Sequence, residues 1–99
     1  MAKKSKIKLY DAAEYLETEK DMAAYLQAAL EDGEPALVIH ALGNIARARG
    51  MSQIARDTGL GRESLYKALS PEGNPEFATV LKVLQALGIK LNAEPTHSH

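Results

Sequence analysis

The sequence predicts an all-α fold, a bundle of five to six short helices, with one alternating segment near the C-terminus that suits a short terminal strand. Three observations lead there. Apolar residues recur at helical spacing in separate stretches, glycines close those stretches, and Thr, Pro or Ser stands where they open. At 99 residues, 45% apolar and 25% charged, the chain has the size and balance of one small globular domain with a single core.

Lys6 to Tyr10 alternates lysine with Ile7 and Leu9, as a short strand or an arm would, and Asp11 caps a short helix through Leu16. Thr18, with Asp21 three positions later, resembles a capping box. The helix it opens carries Met22, Tyr25, Leu26, Ala29 and Leu30 on one stripe and ends at Gly33. Pro35 suits the first turn of the next helix, whose stripe is Val38, Ala41, Leu42, Ile45 and Ala46 and whose stop is Gly50. Ser52 is the expected cap of a helix over 53–58, with Ile54 and Ala55 facing inward and Gly59 breaking it. A helix over about 61–69 follows, then the turn Ser70-Pro71-Glu72-Gly73. Asn74 and Pro75 open a last helix with Phe77, Val80, Leu81, Leu84 and Leu87 as its stripe and Gly88 as its stop. Residues 89–92 alternate like a brief strand, and 94–99 read as a frayed tail. The expected organisation is a basic arm over 1–10, one helical domain over 11–92 and a flexible tail over 93–99.

Without cysteine there is no disulfide framework, thiolate nucleophile or Cys-based zinc site. The basic N-terminus lacks the apolar run of a signal peptide, and no stretch reaches the roughly 20 apolar residues of a membrane span. The expected location is therefore the cytoplasm. No glycine-rich phosphate loop, HExxH or recognisable Ser/His/Asp set points to an enzyme, and no cofactor is expected. His40 reads as a packed or surface histidine. His97 and His99 lie in the tail, where a designed metal site is not expected, and Met22 and Met51 read as core or rim filler.

The net charge of -1 conceals a division along the chain. Residues 1–10 carry +4, residues 11–34 carry -7, residues 47–70 carry +3 and residues 71–99 carry -1. Such asymmetry accords with different partners for different regions, or with solvated helix faces.

Residues 51–70, "MSQIARDTGLGRESLYKALS", combine the parts of a helix-turn-helix, placed at 52–69. Two helices crossing over a tight turn require a small residue at their closest approach and a residue tolerant of positive φ between them. Ala55 and Gly59, four residues apart, meet both requirements, and Ile54, Leu60, Leu65, Ala68 and Leu69 fill the wedge. With Leu65, Ala68 and Leu69 turned inward, Glu63, Tyr66, Lys67 and Ser70 face outward, flanked by Arg62 and Ser64. Those groups can address phosphates and base edges in a major groove.

The segment resembles the helix-turn-helix of the lambda repressor-like, or XRE, class. A narrower likeness covers residues 11–91, through "DAAEYLETEKDMAAYLQAALEDG", "PALVIHALGNIARARGMSQIARDTGL" and "RESLYKALSPEGNPEFATVLKVLQALGIKL". These stretches resemble the antidote proteins of HigBA-like addiction modules, and "LYKALSPEGNPEF" is the most specific part. The resemblance implies a homodimeric antitoxin of a type II toxin-antitoxin module that binds its own double-stranded DNA operator, represses its own transcription and neutralises a RelE/ParE-type toxin. The alternative is a stand-alone XRE-type repressor without a toxin. A purely structural interaction module is a third class.

On matching positions, Ser52 and Gln53 begin the first motif helix, and Arg62, Glu63, Ser64, Tyr66 and Lys67 form the reading face. Arg47, Arg49 and Arg56 supply nearby charge to phosphates. Arg62 can pair bidentately with guanine, whereas Glu63 either accepts from cytosine or orients Arg62. The class often has Gln where this chain has Met51, so that phosphate tie is missing. RelE-like toxins are small ribonucleases, and a basic toxin would suit the acidic residues Glu14, Glu17, Glu19, Asp21, Glu31 and Asp32. Those acids equally suit a role in solvation. The arm over 3–8 can enter a minor groove, pair with 89–92 or remain unstructured.

Overall fold

In the computed structural model, residues 16–96 are described, and they hold five helices and no strand. The helices are α1 (Glu19–Asp32), α2 (Pro35–Arg49), α3 (Met51–Thr58), α4 (Arg62–Ala68) and α5 (Phe77–Leu87). Sequence-local chemistry sets most of their ends. The Thr18 hydroxyl accepts from the Asp21 amide at 3.0 Å while the Asp21 carboxylate accepts from the Thr18 amide at 3.3 Å, which completes the capping box of α1. Gly33, Gly59 and Gly88 end α1, α3 and α5 in the left-handed conformation, and Pro35 occupies the first turn of α2.

The helix α3 is the hub, packing on α2, α4 and α5, while α1 packs on α2. At their centre lie the fully buried side chains of Leu42, Ile45, Ile54, Leu65, Leu69, Val83 and Leu87. Met22 and Met51 are both buried in this core, as packing residues.

Five expectations need correction. Ser52 does not cap α3: the helix begins at Met51, Gly50 takes the cap position at φ 119°, and no side chain caps the end. Burial of Met51 starts the helix early and leaves Ser52 exposed in its first turn. The last helix starts at Phe77 with Glu76 as its N-cap, two residues beyond Pro75. Its buried side is Val83, Leu84 and Leu87, so Phe77 and Leu81 stand 66% and 39% exposed. Residues 89–92 form no strand. Leu30, counted on the apolar stripe of α1, is likewise exposed. The arm over 1–10, the helix expected from Asp11, and His97 and His99 lie outside the described residues; Leu16, at the expected end of that helix, is buried but not helical.

Candidate nucleic-acid interface

The turn between α3 and α4 is short because three local features agree. Gly59 sits at φ 77° and its amide donates to the Ala55 carbonyl, so the chain reverses immediately after α3. Thr58 holds the end from the other side, its hydroxyl donating to the Ile54 carbonyl at 2.7 Å and accepting from the Leu60 amide at 3.3 Å. Ala55 is buried, and its small side chain allows the close approach. Leu65 is the only residue of α4 that is fully buried, and Leu69, just past the helix end, anchors the exit.

That anchoring leaves Arg62, Glu63, Ser64, Tyr66 and Lys67 exposed on one short helix. The Arg62 guanidinium lies 5.7 Å from the centroid of the Tyr66 ring, which is itself 42% exposed. At that distance the cation is attracted to the face of the ring, which restrains a long exposed side chain. Lys67 forms no ion pair among the described residues.

The flanking residues are not equivalent. Gln53 and Arg56 are exposed on α3 and linked: Arg56 donates to the Gln53 side-chain oxygen at 3.1 Å, and Gln53 donates to Asp57 at 2.9 Å. Ser52 is exposed beside them. Arg47 is exposed at the end of α2, and its guanidinium donates to the Asn44 side-chain oxygen. Arg49 is turned to structural use, donating to Glu19 at 3.1 Å and to the Leu87 carbonyl at 3.3 Å.

Asn44 is the one buried polar residue among the described positions, at 6% exposure, and it donates to the Tyr25 hydroxyl at 2.8 Å. Sequence reasoning missed this pair. Its single signal was an asparagine interrupting the apolar run "ALGNIA". Burial raises the Tyr25 pKa above its ordinary 10.0, while the Asn44 hydrogen bond and the Arg47 charge pull it down.

The acidic positions sit apart from this face and from one another. Glu17, Glu19 and Asp21 cluster at the start of α1, with Asp21 committed to the capping box and Glu19 to Arg49. Glu31 and Asp32 occupy its last turn, where Gln27 donates to Glu31 at 3.2 Å. At 1.5 Å per residue the two groups are about 20 Å apart along the axis. Glu14 lies outside the described residues.

Residues 6–95 match the family described as "Probable addiction module antidote protein", and the chain belongs to that family. It is also 51% identical over 88 residues to an uncharacterized protein of Haemophilus influenzae, covering 89% of this chain and 91% of that one. No solved structure matches it. An antidote is not an enzyme and implies a toxin partner of some kind. No helix among the described residues is long and apolar enough to cross a membrane.

Proposed function

We propose that the protein is the antitoxin of a type II toxin-antitoxin module, binding its own operator as a homodimer and neutralising a RelE/ParE-type toxin. One observation supports the DNA reading above the others: α4 buries Leu65 and commits the rest of its long polar side chains to solvent, on a turn built by Ala55 and Gly59. In this reading α4 enters the major groove of each half-site, with half-sites about 34 Å apart. Arg62, pre-ordered on Tyr66, pairs with a guanine, while Lys67, Glu63 and Ser64 reach bases or phosphates. Ser52, Gln53, Arg56 and Arg47 meet the backbone. Arg49, bound to Glu19 and to the Leu87 carbonyl, is the least available of the ten residues expected at DNA.

A second copy accounts for Phe77 and Leu81. They lie one turn apart on α5, on the same exposed side of the helix, and apolar side chains of that size gain from mutual burial. The toxin surface falls on α1. Glu31 and Asp32 occupy its last turn with no basic residue beside them, where the helix dipole disfavours negative charge. A basic partner would offset that cost. Membership of an antidote family favours this reading over a stand-alone repressor.

The test is fluorescence anisotropy with duplex from the chain's own promoter. Arg62→Ala is expected to cost about 1 to 3 kcal/mol and relax preference at one base pair. Undiminished binding by the Arg62→Ala, Lys67→Ala double variant defeats the placement of α4.

A further inference from the structure

We infer that Asn44 and Tyr25 are positioning residues for DNA, holding the Arg47 guanidinium beside the C-terminal end of α4 as a fixed phosphate clamp. The inference rests on the operator-binding reading and deepens it: it assigns an orienting role to two residues far from α4 in sequence.

The first support is the direction of the hydrogen bonds. A guanidinium can only donate, so the Asn44 oxygen must face Arg47 and its amide NH2 must face Tyr25. The reversed amide would set donor against donor at Arg47. The Asn44 amide thereby ties the buried phenol of Tyr25 on α1 to an exposed arginine one turn further along α2.

The second support is where this places the charge. A Cβ built on Gly43 would lie 2.8 Å from the Leu69 carbonyl oxygen and 3.3 Å from the Arg47 guanidinium. The carbonyl that follows α4 and the cation on α2 therefore meet around one point, which only glycine leaves open. Carbonyls at a helix C-terminus carry partial negative charge and favour a cation there. Arg47 is exposed, and only part of its five-donor fork is used by Asn44, so the remainder can take a phosphate flanking the groove that α4 occupies.

The third support is that the arrangement is not needed for packing. Asn44 is buried, and a buried amide costs free energy unless hydrogen-bonded, a demand that an aliphatic side chain at that position would not make. A free arginine loses rotamer entropy when a phosphate immobilises it. Prior immobilisation by Asn44 removes much of that loss from the binding step.

The experiment is a double-mutant cycle on DNA affinity, measured on the full chain against operator and unrelated duplex at several salt concentrations. Arg47→Ala is expected to weaken both duplexes on the order of tenfold and reduce the salt slope by about one. Tyr25→Phe, which keeps the ring, is expected to weaken both severalfold in the wild-type background and not at all in the Arg47→Ala background. Asn44→Ala should behave likewise, and if it fails to fold, Tyr25→Phe with 15N relaxation of the Arg47 Nε–H gives the same answer through a loss of side-chain order. Equal losses from Tyr25→Phe in both backgrounds, or no loss in either, overturn the clamp. If Arg62→Ala weakens binding while Arg47→Ala does not, the clamp fails and the operator reading stands; if the wild-type chain binds no duplex, both fail.

Discussion

The Arg49 guanidinium donates to the Glu19 carboxylate across 3.1 Å and to the Leu87 carbonyl at 3.3 Å, so one side chain joins the start of α1, the end of α2 and the end of α5. The two contacts differ in worth. Glu19 is 65% exposed and Arg49 31%, so their ion pair is wet and screened. Glu19→Ala is expected to cost no more than about 0.5 kcal/mol, and 1 M salt should erase the difference. Arg49→Ala also strips a donor from a helix-terminal carbonyl, and should cost about 1 to 2 kcal/mol with a part that salt does not remove. Urea titrations of both variants at two salt concentrations measure the split.

The capping box at Thr18 makes a sharper prediction. Thr18→Ala removes the acceptor for the Asp21 amide and is expected to destabilise the fold by about 1 kcal/mol, whereas Thr18→Ser should recover most of it. Because α1 packs on α2, the loss should appear first as faster amide exchange over Glu19–Met22. Equal stability of the alanine and serine variants in urea would contradict it.

The difference between what was legible in the sequence and what was not follows from the range of each interaction. Thr18 with Asp21, and the stops at Gly33, Gly59 and Gly88, depend on neighbours within one turn, so the pattern alone reveals them. Phe77 and Leu81 share the apolar stripe of α5 yet stand exposed, because helical spacing says that a stripe is apolar, not which partner covers each of its residues. The bundle takes Leu84 and Leu87 of that stripe together with Val83, which lies beside it, and leaves Phe77 and Leu81 outside. The exposed face of α4 followed from the sequence because Leu65 and Leu69 fix its rotation. The Tyr25 to Asn44 bond spans 19 positions and two helices, and no local rule reaches that far.

Two glycines are expected to respond differently to alanine. At Gly59 a Cβ would meet nothing within 4 Å, so Gly59→Ala carries the strain of its positive φ alone, about 1 to 2 kcal/mol. At Gly43 the obstruction is a backbone oxygen at 2.8 Å, which cannot swing aside, so α2 and the end of α4 must separate. Gly43→Ala should therefore cost more than Gly59→Ala in thermal melts and also move the Arg47 side-chain resonance. The opposite ranking would show that the α2 to Leu69 approach is looser than these distances state.

Tyr25 gives the protein an alkaline limit whose sign is fixed. Burial raises the folded-state pKa above 10.0, so the unfolded chain releases the proton first. The stabilising contribution is complete below pH 10.0 and is lost as pH rises from there through the folded value. Stability measured by urea at successive pH values should fall less steeply above that point in Tyr25→Phe than in the wild type. Identical slopes would mean that the phenol ionises as freely in the folded chain as in the unfolded one.

The last turn of α1 sets stability against binding. Glu31 and Asp32 place two negative charges at the negative end of a helix dipole, with no basic residue in that turn. Glu31→Gln with Asp32→Asn removes the mismatch and is expected to stabilise the free protein by about 0.3 to 1 kcal/mol, read as a higher melting temperature. If these carboxylates face a basic toxin, the same variant should bind that toxin more weakly, mainly through a slower association rate whose salt dependence is flattened. A variant that gains stability while keeping wild-type association at every salt concentration would move the toxin surface away from this end of α1. A variant that gains none would show that the local dipole is already neutralised by solvent.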